Sequence, residues 1–352
     1  MLTTLAAVAV ASLTLQSQTD TTFAVPAGAS LSVNNFGGAI IVRGWNQNRI
    51  RVQAEHGRRG RVEVSLVANT VTVKSGSRDG PPTVTDMEIT VPQATPLRLS
   101  GTYAEITVEG VTGPISAETV DGEVNVRGGK GNITLSSIQG PVTLADASGR
   151  IEVTSVNEDV SLSNISGELR VETTNGELTL LGIQSSSVEA ATINGDVTYD
   201  GNIADAGSYS FSSHNGDITV TVAERANVTI TAATANGEID ASFPLPVTNT
   251  DRKRRWTFKL GTGSARLEAE SFQGDIRLRR PGEVHRDRGR DSKHNKNEDS
   301  NYDFDFNFDF DLKVKETVDS AASYAARYAR EYAPIYARMY ARTYTRVYRY
   351  TH

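Results

Sequence analysis

The feature that most constrains this chain is a glycine that returns every nine residues through its middle. Gly113, Gly122, Gly131, Gly140 and Gly149 keep the step, Glu158 holds the next slot, and Gly167 and Gly176 resume it. Behind most of them comes one phrase: an often polar residue, an aliphatic one, a mostly polar one, an apolar one. Asp121-Gly122-Glu123-Val124-Asn125-Val126 and Asn175-Gly176-Glu177-Leu178-Thr179-Leu180 are two copies. A fixed short period means a stack of small units.

The nine-residue unit is half of a larger one. Every second copy reads Ser/Thr, any residue, Asn/Asp/Gln, Gly or Glu, acidic or Pro, aliphatic, starting at Thr119, Ser137, Ser155, Thr173, Thr192, Ser213, Thr234 and Ser271. The intervening copies differ: Lys130-Gly131, Ser148-Gly149, Ser166-Gly167. A full turn is therefore about 18 residues early and about 21 later.

The unit is too short for a useful helix, and β-branched residues dominate it. Val124 and Val126 point to one side of a strand, Glu123 and Asn125 to the other. Glycine suits a corner that needs positive φ. Asn-Gly is also a hairpin signal, so a meander competes. A hairpin ladder, however, does not require alternate strands to carry the same side chains. A chain that returns above itself does, because identical residues then stack and amides bond to amides. The expected fold is all-β: a β-solenoid (β-helix) of ~18–21-residue coils around a slab of Val, Ile and Leu. At roughly 4.8 Å per coil, about ten coils span roughly 50 Å.

Around that body, residues 101–280 are expected to form the solenoid and 21–100 its N-terminal coils and cap. Val33 to Val42 looks like an early copy; Asn48 to Ala54 and Arg61 to Val67 alternate like half-buried strands. Leu5 to Leu15 is an apolar run of signal-peptide length, too short to span a membrane. Ala9-Val10-Ala11 and Leu15-Gln16-Ser17 are cleavage contexts, although no Lys or Arg precedes the run. Residues 1–20 are thus expected to be an export leader, making the protein periplasmic, cell-surface or secreted. The copy ending Gln273-Gly274-Asp275-Ile276-Arg277-Leu278 is expected to close the solenoid.

Residues 281–300 are charged and polar, a disordered linker by composition. In 301–352 the run Tyr302 to Asp311 alternates aromatic and acidic and is expected to form a strand able to join a sheet edge. From Tyr324 a Tyr-Ala-Arg tetrad recurs. Ala and Arg favour helix, i,i+4 spacing brings Tyr onto Tyr, and Pro334 would kink it. This low-complexity tail is expected to be partly helical.

Net charge is −6, which gives no reason to expect nucleic-acid binding. Cysteine is absent, which excludes disulfides and thiolate chemistry. No hydrolase, metalloprotease, phosphate-loop or dinucleotide motif is present. His214 fills the slot held by Val120, Ile138, Val156 and Ile193, which should face the core. The acids Glu123, Asp159, Glu177, Asp196, Asp217, Glu238 and Asp275 recur in nearly every coil. A catalytic site breaks periodicity locally, so this column reads as turn chemistry rather than as a carbohydrate-cleaving β-helix enzyme. No catalytic residue, cofactor or metal is expected.

Contact candidates come from two basic, aromatic stretches. Arg254, Arg255 and Trp256 lie in an interruption of the period. Tyr328, Tyr336, Arg338, Tyr340, Arg342, Tyr344 and Arg346 lie in the tail. Tyr with Arg suits a membrane surface or an anionic envelope polymer, and another protein is a third partner class. A solvated loop whose Trp folds back on the body is the competing reading for Trp256.

The phrases VNNFGGAIIVRGW, TVDGEVNV, TTNGELTL, ATINGDVTY, SHNGDITVTV and GTGSARLEAESFQGDIRLRR resemble the DUF4097 family over about residues 30 to 280. The resemblance implies a β-solenoid in the bacterial envelope or outside the cell. Its members carry the adhesin name by inference, and no catalytic residue transfers. The Phe-Asp run and the Tyr-Ala-Arg tetrads depart from the family pattern. The function this implies is a non-enzymatic, adhesin-like scaffold tethered by its tail, with a self-assembling envelope filament as the alternative.

Overall fold

The computed structural model describes residues 17–67, 69–245 and 255–283. Residues 1–16 of the expected leader, Arg254, the linker from residue 284 and the whole tail lie outside the described residues, while 17–20, also assigned to the leader, form the start of β1. All regular structure in the described part is strand. The N-terminal strands are β1 (Ser17–Ala24), β2 (Ser30–Trp45), β3 (Arg49–His56), β4 (Gly60–Val67), β5 (Thr70–Ser77), β6 (Thr85–Pro92) and β7 (Leu97–Val111). The regular coils carry β8 (Ile115–Asp121), β9 (Val124–Gly128), β10 (Lys130–Gln139), β11 (Val142–Ala145), β12 (Ser148–Thr154), β13 (Val160–Ser163) and β14 (Ser166–Asn175). Then come β15 (Leu178–Asn194), β16 (Val197–Asn215), β17 (Ile218–Thr221), β18 (Val228–Thr234) and β19 (Ile239–Ala241). The last are β20 (Arg255–Leu260), β21 (Ala265–Ser271) and β22 (Ile276–Arg279).

Pairing within the repeats is parallel and in register, so the chain coils rather than meanders. Val124 aligns with Val142, Val142 with Val160, Val160 with Leu178 and Leu178 with Val197. One wall of the coil runs through β8, β10, β12 and β14, and the opposite wall through β9, β11 and β13. Both send aliphatic side chains inward. Ile133, Leu135, Ile151 and Val153 from one wall and Val142, Leu144, Val160 and Leu162 from the other are buried.

The glycines divide by corner, which refines the expectation of positive φ. At the second corner Gly131, Gly149 and Gly167 have φ of 96°, 128° and 111°. At the first corner Gly140, Gly176, Gly195, Gly216 and Gly274 do not need left-handed backbone. There a Cβ would sit 2.0–2.3 Å from a carbonyl oxygen of the coil beneath. Stacking itself excludes a side chain at those positions.

The period lengthens from coil to coil because the second corner takes on extra residues, and two tyrosines accommodate them. The Tyr209 hydroxyl accepts from Ala204 N–H (2.7 Å) and donates to the Ser185 carbonyl (2.6 Å), while Tyr199 donates to Asn202 O (3.1 Å). Their rings and Phe211 widen the core at this level.

Coil order departs from chain order in two places. β2 stacks directly on β7, and β3 to β6 build the end beneath it. At the other end, β21 and β22 pair with β16 and β17 on one side and with β18 and β19 on the other. The last repeat in the sequence is therefore the penultimate coil in space, not the closing one. β20 lies antiparallel on β18 and covers that end, and at the N-terminal end β3 and β4 run antiparallel to β6 and β5, with β1 paired beyond β3. Reversed strands with a different register cannot continue the coil, so both ends are blunted.

Two outcomes follow. Gly195→Ala is expected to lower stability by on the order of 3 kcal/mol in thermal melts, because its Cβ meets backbone. Gly76→Ala, in open space, is expected to change it by less than about 1 kcal/mol. Burial raises the Tyr199 phenol pKa above its ordinary 10.0, with Tyr209 and Asp200 adding to the shift. The folded value exceeds the unfolded one, so this contribution is complete below about pH 10 and falls away as pH rises further. Denaturant melts across that alkaline range are expected to lose stability less steeply in Tyr199→Phe.

Candidate binding face

The first corner and the wall after it present parallel columns of like residues, one per coil. Reading outward along a coil, these are a ridge, an amide, an acid and a hydroxyl.

The Ser/Thr that opens each copy does not reach solvent. Its hydroxyl donates to the carbonyl of the glycine-slot residue in the coil beneath: Ser137 to Gly122 (3.2 Å), Thr192 to Gly176 (3.2 Å), Ser213 to Gly195 (2.9 Å). Across the reordered end Ser271 reaches Gly216 (2.9 Å) and Thr234 reaches Gly274 (2.8 Å). These buried bonds fix the corner against the stack.

Next comes the ridge. Val120, Ile138, Val156, Thr174 and Ile193 are half-exposed rather than core-facing. His214, in the same slot, is exposed and stacks on Phe272 with centroids 4.7 Å apart and planes 5° from parallel. The expectation that this slot faces inward is thus corrected. The Ser/Thr before it is the residue turned in, and alternation turns its neighbour out.

The amide column is a hydrogen-bonded ladder. Asn175 donates to Asn157 (3.0 Å), Asn194 to Asn175 (2.7 Å) and Asn215 to Asn194 (2.7 Å). Counting one coil back from Asp121 brings Tyr103 into this column, 50% exposed. It packs edge-on against Phe36 at 5.5 Å, beside the 63%-exposed Val84. The periodicity points to Tyr103, but the looser spacing before residue 100 hides it in the sequence.

The acidic column is structural. A carboxylate accepts the backbone N–H of the acid one coil on: Asp159 from Glu177 (2.7 Å), Asp196 from Asp217 (2.8 Å), Asp217 from Asp275 (2.8 Å), Asp275 from Glu238 (2.9 Å). Arg277 bridges Asp217 (2.8 Å) and Asp275 (2.9 Å). Burial pulls its guanidinium down, but those two carboxylates outweigh this and hold it above the ordinary arginine range. Among the described residues no three His, Asp or Glu side chains converge as metal ligands would.

The hydroxyl column completes the face: Thr107, Thr143, Ser161, Thr179 and Thr198 are in register on the outer surface of the wall, with the amide of Asn125 in the same line and Thr219 continuing the register but buried. Its repeat is the inter-strand spacing, about 4.8 Å.

Of the contact candidates, Arg255 and Trp256 lie on β20 and face opposite ways. Arg255 is exposed and 3.6 Å from Glu270; Trp256 is half-buried against the core. Arg254, Tyr328, Tyr336, Arg338, Tyr340, Arg342, Tyr344 and Arg346 lie outside the described residues.

Residues 29–279 match the family model described as Toastrack DUF4097. Solved structures similar to this chain include a candidate cell adhesion protein from Clostridium sporogenes, at 13% identity over 75% of this chain and 99% of that one, TM-score 0.22. Another is a candidate lipid binding protein from Parabacteroides distasonis, at 9% identity over 74% and 96%, TM-score 0.45. A third is a candidate adhesin from Parabacteroides merdae, at 7% identity over 74% and 95%, TM-score 0.40. No curated protein matches the chain.

The acidic ladder generates a direct test. Asp196→Ala leaves the Asp217 N–H without its carboxylate and is expected to cost about 1 kcal/mol in denaturant melts. Glu238→Ala, on the terminal coil, is expected to stay within about 0.5 kcal/mol.

Proposed function

We propose that this chain, which belongs to the Toastrack DUF4097 family, is an exported, non-enzymatic scaffold. In this reading it binds an extended envelope polymer along the face of ridge, amide, acid and hydroxyl columns. The observation that carries the reading is the register of those columns. Acceptors and hydroxyls repeat at a constant spacing with no convergence on a single coil, which suits a repeating ligand better than a compact substrate. Four of the seven column acids, Asp159, Asp196, Asp217 and Asp275, each hold a backbone N–H of the next coil with one carboxylate oxygen. Half-exposed apolar and aromatic groups beside polar columns suit a polyhydroxylated chain, whose rings offer both apolar faces and hydroxyl edges.

Export fits the same reading. β1 starts at Ser17 and Asp20 makes a bidentate pair with Arg51, so of the two cleavage contexts Ala9-Val10-Ala11 leaves that strand whole, whereas a cut after Ser17 would remove its first residue. The tail would then hold the scaffold at the envelope. Filament growth by stacking coil on coil is disfavoured by the antiparallel strands at both ends.

Co-sedimentation with purified insoluble cell-wall polysaccharide tests the binding face. The double variant Asn194→Lys/Thr198→Lys is expected to reduce binding at least about tenfold with an unchanged circular dichroism spectrum. Equal binding by the variant, or recovery of the wild-type chain in the cytoplasmic fraction of expressing cells, would remove the proposal.

A further inference from the structure

Four strand edges have no neighbour among the described residues: β1 and β4 at the N-terminal end, β19 and β20 at the other. Unpaired edges attract further strands, and natural proteins cover or charge them. The four differ in chemistry. β1 carries Asp20, and β4 carries Glu63 paired to Arg61. β19 is three residues long, with Asp240 paired to Arg279. β20 alternates without a carboxylate: Arg255, Thr257 and Lys259 are exposed, while Trp256, Phe258 and Leu260 face the core.

The same chain carries the complementary pattern. Between Tyr302 and Asp311, Asp303, Asp305, Asp309 and Asp311 fall on one side of an extended segment and four phenylalanines on the other. The chain leaves the body after β22, one strand from the C-terminal end that β20 covers. There the Arg280 guanidinium lies 3.8 Å over the Phe243 ring. Residues 284–301 intervene, a reach of up to about 60 Å when extended, ample to cross one coil.

We propose that Tyr302–Asp311 adds to the free edge of β20 of its own chain as an extra strand. Its phenylalanines extend the core layer of Trp256, Phe258 and Leu260, and its aspartates face Arg255 and Lys259. Backbone bonds supply the pairing and the alternating faces select the edge. Docked there, the segment covers the last open edge of that wall, shields its own aromatic face, and fixes where the Tyr-Ala-Arg tail departs. The proposal is independent of what the columned face binds.

Hydrogen exchange by mass spectrometry on the full mature chain tests it, at two protein concentrations and with molar mass measured by light scattering. Peptides covering 255–260 and 302–311 are expected to exchange at least about tenfold more slowly in the wild type than in Phe306→Ser/Phe308→Ser. An unchanged melting temperature for that variant confirms that its body is folded. Arg255→Glu/Lys259→Glu is expected to release 302–311 as well, with an unchanged melting temperature confirming a folded body. Exchange of 302–311 as fast as the 284–300 linker in the wild type overturns the proposal. Protection that grows with concentration alongside a dimer mass also overturns it, by placing the strand on a second copy.

Discussion

The structure depends on one close approach, the backbone of each coil at the first corner against the carbonyl beneath. Where a Cβ would stand at Gly195, Gly216 and Gly274 there is a carbonyl oxygen 2.0 Å away. Glycine lets the coils settle to strand spacing at the corner as well as along the walls. Only then can the Ser or Thr three residues earlier reach that carbonyl with its hydroxyl, the amides bond to one another, and an aspartate cap the next N–H. The ladders are consequences of a fixed stacking distance, not independent causes of it.

One coil shows what happens when the condition lapses. Glu158 occupies the glycine slot, so a Cβ stands where the other coils bring bare backbone against the coil below. In the same coil the buried Ser155 hydroxyl has no partner, whereas Ser137 and Ser213 in the matching position do. The amide bonds begin in this coil, at Asn157, and run upward. The walls carry the stack across this defect, since Val142, Val160 and Leu178 keep their register.

A stack built this way has consequences for function. Every outward position becomes a column, so the described coils offer lines of chemistry along the stack. The inner parts of those lines are consumed: hydroxyls by carbonyls, carboxylates by N–H groups. The groups left for a partner are the ridge, the outer edges of the amides and the hydroxyl column, with aromatic pairs Phe36–Tyr103 and His214–Phe272 along the way. The ends need separate solutions, and both use strands running against the stack.

The coil was legible in the sequence because its causes are local. Glycine spacing, aliphatic alternation and the Ser/Thr-x-Asn-Gly phrase each act within one turn, and together they determine strand, corner, core and the acids' turn role. The direction of the His214 slot was within reach too. Two neighbouring positions cannot both face inward, and Ser213 had the stronger claim through its carbonyl partner one coil away. Only the tertiary structure decided the order of the coils. Against Phe211 the chain offers Ala269 or Ala232, equivalent in size and both preceded by the same wall pattern, and the structure places Ala269 there. A repeat specifies how any coil meets any other. Which two are neighbours is settled by the segments that leave the stack, here β20 turning back on β18, and a periodic sequence cannot encode a choice among its own equivalents.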